Sequence, residues 1–146
     1  GLIYLDNGND GIPSQQHPDN EALKYDGRFH SSKLMWALGN YSRFVRPGMV
    51  RVKTQLLNKA SLKEQANQVM VSAFKDENNG NVVLVCINYS KEKQDVEFLN
   101  EGQFEDEAKT YLTSDEHNLS YRKEGIAKLK LPARSVKTIV MEMSEN

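Results

Sequence analysis

The chain has 146 residues, of which 27% are charged and 38% are apolar, and its formal net charge is −1. This composition is typical of a globular protein with one domain, or with one small domain and a piece of another. Lysine and arginine are scattered without a basic stripe, so we expect neither nucleic acid nor a membrane as a partner. No apolar run reaches the roughly 20 residues that span a bilayer, and the sequence shows no signal-peptide pattern. The single cysteine, Cys86, lies in an apolar run and is expected to be a small buried side chain rather than a nucleophile.

The chain begins without methionine, inside an apolar run at residues 2–5 that predicts a buried strand. We therefore expect a processed product or a fragment of a longer protein. Residues 6–30 are rich in Asn-Gly, Asp-Gly and proline turn signals, and a loop of this length is often functional. Its polar and aromatic side chains suit a polar ligand, and the candidate substrate-binding residues are Asp6, Asn7, His17 and Tyr25. A solvated surface loop is the equally open alternative.

Residues 31–46 predict one amphipathic helix. Its apolar stripe recurs at i, i+4, i+7 and i+11 at Leu34, Leu38, Tyr41 and Val45, and Ala37 and Phe44 widen it. Asn40 lies off this stripe. Gly39 weakens a helix by about 1 kcal/mol relative to alanine, which indicates close packing against a neighbour. Pro47 and Gly48 end the helix and permit a sharp exit.

After Gly48 the apolar period changes from 3.6 to 2, which predicts strands. The predicted strands cover residues 49–57, 68–75, 82–88, 95–99, 109–113, 127–131 and 136–143. Asn79-Gly80 is the strongest hairpin signal, and the strand at 82–88 is apolar on both faces, as a central strand is. Short strands at this spacing, with turns between them, predict an antiparallel β-sandwich.

The sequence contains no familiar catalytic or cofactor motif, such as G-x-G-x-x-G, a P-loop, H-E-x-x-H or G-x-S-x-G. The three histidines are far apart and lack metal-ligand spacing, so we expect no metal and no cofactor. A glycosidase needs two carboxyl groups that face each other across a cleft. The acidic residues of this chain lie in charge runs and polar links and offer no such pair. The residues alone therefore predict a helix and a β-sandwich without a catalytic set.

Three stretches resemble one enzyme family. The run LGNYSRFVRPG at residues 38–48 is similar to the last barrel helix and the linker of glycoside hydrolase family 30. Residues 1–6 are similar to the sequence just upstream in endo-β-1,6-galactanase-like members. The run LPARSVKTIVM at residues 131–141 resembles the strand pair that closes the sandwich of this family and of several related carbohydrases.

The resemblance implies a mainly β chain, in which an antiparallel β-sandwich side domain is preceded by one helix and a short strand left from the end of a (β/α)8 barrel. On that template residues 1–48 are the last strand, loop and helix of the barrel, and residues 49–146 are the side domain. The loop at 6–30 would border the substrate cleft, because barrel active sites lie at the carboxyl ends of the strands. The two catalytic glutamates of the family belong to earlier strands. No residue of this chain matches either of them, so we expect the chain alone to be inactive.

Three functions remain open. The first is the C-terminal portion of a retaining hydrolase of β-linked polysaccharide, such as a β-1,6-galactan, which the family resemblance implies is secreted or periplasmic. Its partners would be the polysaccharide and either the missing barrel or another copy of the chain, because a lone strand and helix leave apolar surface uncovered. The second is a non-catalytic carbohydrate-binding or interaction sandwich; its aromatic candidates are Tyr89, Phe104, Tyr111 and Tyr121, although we expect these rings to pack in the core or against the barrel. The third is a module that only stabilises the barrel, the role we favour for residues 49–146.

Overall fold

A computed structural model of the chain describes residues 1–5, 29–54, 61–99 and 103–144. The chain divides into two compact units, Gly1–Trp36 and Ala37–Asn146. The predicted substrate-binding residues Asp6, Asn7, His17 and Tyr25 lie outside the described residues. Within the described part, every helix is too short or too polar to cross a membrane.

The first unit contains strand β1 (Ile3–Leu5) and strand β2 (Phe29–Ser31), which pair antiparallel with Ile3 opposite Ser31. The predicted loop at 6–30 was therefore too long at its end, because residues 29 and 30 belong to β2. Ser32 follows β2 and donates two hydrogen bonds to the carbonyl oxygen of Leu2, from its backbone N–H and from its hydroxyl. The same hydroxyl accepts a hydrogen bond from the backbone N–H of Met35, which makes Ser32 the N-cap of the following helix.

Helix α1 (Lys33–Ser42) is shorter than the predicted helix at 31–46. It ends at Ser42 because the chain tightens there: the N–H of Phe44 bonds to the carbonyl of Tyr41, three residues back. The guanidinium group of Arg46 then donates to the carbonyl oxygen of Ser42 at 2.9 Å, which satisfies one of the free carbonyls at the helix end. Gly48 completes the exit with a φ of 93°.

Gly48→Ala is expected to lower the free energy of unfolding by about 1 kcal/mol, because residues with a Cβ disfavour a positive φ. A Cβ at this position would meet nothing within 4 Å, so the effect isolates backbone strain from packing. Urea unfolding followed by circular dichroism measures the change. Gly125→Ala is the matched control, since its Cβ would meet only a carbonyl oxygen at 3.8 Å and its φ lies outside the positive range. Equal effects of the two substitutions would contradict the role of φ.

The second unit is built on a six-stranded antiparallel sheet and a two-stranded sheet, which confirms the predicted antiparallel β-sandwich. The large sheet has the order β3-β4-β5-β10-β7-β8, where these strands are β3 (Val50–Val52), β4 (Val69–Lys75), β5 (Val82–Asn88), β7 (Glu107–Thr113), β8 (Ser120–Gly125) and β10 (Ser135–Met141). The small sheet pairs β6 (Gln94–Glu97) with β9 (Lys128–Leu131). Strands β4 and β5 form the hairpin predicted at Asn79-Gly80, where Gly80 has a φ of 75°.

The core of this unit lies between the two sheets. It is made of apolar side chains from both, including Ala73, Leu84, Ile139, Leu129 and Leu131. As predicted, strand β5 is buried on both faces and lies inside the sheet. Burial raises the pKa of the Cys86 thiol to about 12, so this cysteine is a buried apolar side chain and not a nucleophile.

Two elements of this unit were not predicted. Helix α2 (Leu62–Asn67) lies between the predicted strands at 49–57 and 68–75, where the sequence predicted no regular element. Its N-terminus is a capping box, in which the Glu64 carboxylate accepts hydrogen bonds from the N–H and hydroxyl of Ser61 at 2.8 and 2.7 Å. These bonds lower the pKa of Glu64, and they give this carboxylate a structural role. Strand β8 is the second element; its polar, charged sequence suits an edge strand.

Candidate functional site

The side of helix α1 that contacts the large sheet includes only part of the predicted apolar stripe. Asn40, which the periodicity placed off the stripe, is fully buried at 0% exposure. Leu34 and Leu38, two members of that stripe, are 61% and 49% exposed. The position of Asn40 could not be predicted because apolar periodicity cannot detect a polar contact, and Asn40 is buried through hydrogen bonds.

Asn40 lies over strands β7 and β10 and bonds to a threonine from each. Its side-chain amide donates to the hydroxyl oxygen of Thr113 at 2.7 Å. The Thr138 hydroxyl donates to the backbone and side-chain oxygens of Asn40, at 2.7 and 2.9 Å. Thr113 also accepts a hydrogen bond from the N–H of Leu119 at 3.2 Å. Because such bonds need aligned donors and acceptors, they fix the helix at one register on the sheet.

Ring contacts flank this polar centre. The Tyr41 hydroxyl lies 2.8 Å from that of Ser72, so this member of the predicted stripe does face the sheet. The Phe44 ring packs on Tyr111 with 4.3 Å between centroids. A Cβ on Gly39 would lie 2.9 Å from Cδ1 of Leu119, which agrees with the close packing expected from a glycine inside a helix.

Helix α1 therefore differs along its length. Its second half holds Asn40 and Tyr41, which bind the large sheet, and Phe44 packs on Tyr111 just after the helix ends. Leu34 and Leu38, which precede Tyr41 on the same apolar stripe, are exposed. These exposed apolar side chains have no features of a chemical active site.

Three of the described glutamates form ion pairs with lysines of the large sheet. Glu124, Glu107 and Glu142 pair with Lys137, Lys123 and Lys109, respectively. Within the described residues no group of three metal-binding side chains comes together. The Ser114 hydroxyl lies 3.1 Å from Nδ1 of His117, but Ser114 is buried and the pair closes a tight turn, so it does not form an accessible nucleophile.

The four aromatic candidates for sugar binding divide into two groups. Phe104 packs against the core, and Tyr111 is half-buried under Phe44. Tyr89 and Tyr121 are 53% and 56% exposed, so neither packs in the core, and the expectation that they pack against a barrel stays a prediction. The Tyr121 ring stacks beside Tyr111 with 5.4 Å between centroids.

No protein-family model matches the chain. Among solved structures, it is similar to a conserved exported protein from Bacteroides fragilis, with 39% identity and a TM-score of 0.75 over 95% of this chain and 26% of that protein. It is also similar to a GH30 endoxylanase from Clostridium papyrosolvens, with 25% identity and a TM-score of 0.62 over 77% of this chain and 28% of that one. The catalytic domain of GH30 xylanase C from Talaromyces cellulolyticus matches at 26% identity and a TM-score of 0.60, over 78% of this chain and 25% of that domain.

These similarities give the chain a fold like that of glycoside hydrolase family 30 and make it a glycoside hydrolase-related domain. The resemblance noted in the sequence is confirmed at this level. The endo-β-1,6-galactanase-like specificity stays a prediction. The chain spans about a quarter of the length of the solved proteins that it matches.

Proposed function

We propose that this chain is the C-terminal part of a secreted, retaining glycoside hydrolase that cleaves a β-linked polysaccharide, and that its sandwich supports the catalytic barrel. The observation that carries the proposal is helix α1. Asn40 binds the helix to the sandwich, while Leu38 on the same helix is 49% exposed and presents apolar surface that is suited to a barrel. The limited share of the matched hydrolases that the chain covers also supports it.

On this proposal the two catalytic glutamates lie outside the chain, and the family reaction is a double displacement by those residues. The loop at 6–30, with Asp6, Asn7, His17 and Tyr25, borders the substrate cleft. Strand β1 pairs antiparallel with β2, whereas barrel strands pair in parallel, so the barrel neighbours of β1 must come from other residues of the parent protein. We infer a β-1,6-galactan as the substrate from the sequence resemblance, with xylan, the substrate of the two GH30 xylanases, as the competing choice.

The 146-residue chain alone is expected to release no reducing sugar from β-1,6-galactan or xylan, because it lacks the two catalytic carboxylates. The polypeptide extended upstream by a complete barrel is expected to hydrolyse one of them. A reducing-sugar assay on both proteins, with both substrates, checks this. Hydrolysis by the short chain would contradict the assignment of the catalytic residues, and an inactive extended protein would contradict the hydrolase function.

The supporting role of the sandwich can be tested separately through Leu38→Glu. The substitution should not change the unfolding temperature of the short chain, because Leu38 is exposed there, and should lower that of the extended protein. Lys75→Glu, at another exposed position, is the control and should have little effect in either protein. If Leu38→Glu leaves the extended protein unchanged, the barrel does not cover this side of the helix.

The second function, a carbohydrate-binding sandwich, is favoured by a specific observation. Tyr89 and Tyr121 expose large ring surfaces, and exposed aromatic rings can pack against the apolar faces of sugar rings. Binding to polysaccharide is compatible with support of the barrel, and affinity electrophoresis of the short chain in glycan-containing gels detects it without any catalytic residue.

A further inference from the structure

Two turns at one end of the sandwich bring an exposed tyrosine and an exposed arginine together. Tyr89 follows strand β5 directly, and Arg134 lies in the turn between β9 and β10. The Cζ atom of Arg134 lies 4.2 Å from the centroid of the Tyr89 ring, which is the geometry of a cation–π contact. More than half of the Tyr89 surface remains open to solvent.

The backbone of both turns is held in place by one buried side chain. Asn88 is 1% exposed, and its amide donates to the carbonyl oxygens of Glu92 and Pro132, each at 2.8 Å. The N–H of Arg134 bonds directly to the carbonyl of Ser90 at 3.1 Å. Tyr89 and Arg134 are thus fixed relative to each other before any ligand arrives, which favours binding.

The backbone conformation at Arg134 does not call for an arginine. Its φ is 48°, a left-handed value that glycine and asparagine adopt more readily than other residues. A non-glycine residue in this region is strained, and strain of this kind gathers at functional sites. The reason for an arginine at position 134 therefore lies in its side chain and not in the backbone conformation.

The charge of Arg134 is not neutralised within the described part of the chain, where no carboxylate lies within ion-pair range of its guanidinium. The Cζ atom of Arg134 lies over the Tyr89 ring, and a guanidinium group carries five N–H donors in one plane. A planar fork of N–H donors suits the oxygens of a carboxylate or a sulfate. The open surface of Tyr89 beside it suits the apolar face of a sugar ring.

We propose that Tyr89 and Arg134 form a binding site for an anionic sugar residue of a polysaccharide, in which the sugar ring packs on Tyr89 and its acidic group binds Arg134. The inference deepens the carbohydrate-binding function proposed above and needs no catalytic residue. The carboxylate of a uronic acid and a sulfate ester both offer oxygen acceptors that Arg134 can bind. The experiment therefore compares a glycan that carries uronic acid with one that carries sulfate.

The test is affinity electrophoresis of the 146-residue chain in gels that contain glucuronoxylan, a sulfated galactan, or neutral arabinoxylan. We expect retardation by at least one acidic glycan, loss of retardation as salt is added, and none with arabinoxylan. Arg134→Gly and Tyr89→Ala should each weaken binding at least tenfold, and Arg134→Lys should weaken it less, since it keeps the charge and loses the planar fork. Glycine adopts a positive φ without strain, so the unfolding midpoint of the Arg134→Gly variant should stay at or above that of the wild type. This measurement separates a loss of binding from a loss of folding.

Arg51→Ala is the matched control, because it removes another exposed arginine of the same unit, whereas Tyr121→Ala tests the other exposed tyrosine. If Tyr121→Ala abolishes binding and Arg134→Gly does not, the sandwich binds carbohydrate at a different site and this inference is wrong. If only the neutral glycan retards the chain, this inference is wrong and the carbohydrate-binding function stands. If none of the three glycans retards it, both fail, while the hydrolase proposal is untouched. Retardation by only one of the two acidic glycans identifies the acidic group.

Discussion

Asn40→Ala is expected to lower the free energy of unfolding of the 146-residue chain by about 3 kcal/mol. Asn40 is fully buried, and the substitution removes the bonds that its side chain makes with the hydroxyls of Thr113 and Thr138. Each buried polar group that loses its partner contributes roughly 1–3 kcal/mol, and the cavity left by the side chain adds to the loss. Chemical unfolding followed by circular dichroism gives the free energy.

Ser42→Ala is the control for Asn40→Ala, because Ser42 is exposed on the same helix, and we expect a change within about 0.5 kcal/mol. Thr138→Val removes the other side of the contact. Because the two residues share hydrogen bonds, the double variant should lose less than the sum of the single variants, by about 1 kcal/mol. Additive losses would show that the bonds do not couple the helix to the sheet.

Glu124→Leu is expected to lower the free energy of unfolding by about 3 kcal/mol, because it leaves a buried ammonium group without its counterion. The Lys137 side chain is only 6% exposed, and its Nζ lies 2.6 Å from Oε1 of Glu124. The same carboxylate oxygen accepts a hydrogen bond from the Thr110 hydroxyl at 2.8 Å, which the substitution also removes. Unfolding is measured in urea, because guanidinium chloride is a salt and would screen the ion pair.

The matched control is Glu107→Leu, which removes an exposed carboxylate paired with Lys123 at 3.1 Å in the same sheet. Exposed ion pairs contribute little, so we expect a loss below about 1 kcal/mol. The double variant Glu124→Leu with Lys137→Met should recover most of the stability, since an apolar pair can replace a buried ion pair. Equal losses at positions 124 and 107 would contradict the burial argument.

The ion pair between Glu124 and Lys137 also predicts that the stability of the chain depends on pH. Burial alone would raise the pKa of Glu124, but the hydrogen bonds from Lys137 and Thr110 outweigh it, so the pKa lies below its ordinary value of 4.5. A carboxyl group whose folded-state pKa is lowered stabilises the fold above its unfolded-state pKa, and this contribution is lost as the pH falls through the folded-state value. The chain should therefore lose stability below about pH 4.5, and Lys137→Met should reduce that loss.

Local signals in the sequence predicted most strands of the second unit. The β4–β5 hairpin follows from Asn79-Gly80, and the central place of β5 follows from its continuous apolar run. Strand β8 carries no apolar alternation because it lies at the sheet edge, so periodicity could not find it. Helix α2 could have been found, since Ser61 and Glu64 have the spacing of a capping box.

The docking of helix α1 could not be predicted in the same way. Thr113 and Thr138 lie 73 and 98 residues after Asn40. Nothing near Asn40 in the sequence shows that its side chain hydrogen-bonds to two threonine hydroxyls. The apolar stripe divides between two environments: Tyr41 contacts the sheet, while Leu34 and Leu38 are exposed. The predicted loop residues Asp6, Asn7, His17 and Tyr25 stay a prediction because they fall outside the described residues.

The buried Asn40 also bears on how such a sandwich could be exchanged between proteins. A cassette cut at Met49, where the strands begin, would leave the Thr113 and Thr138 hydroxyls without the group they bind. The smallest segment that recombination or engineering can transplant intact therefore starts within helix α1, before Gly39, and not at the linker after it. A fusion partner must then continue that helix, so its own last helical turn, and not a flexible tether, fixes the orientation of the sandwich.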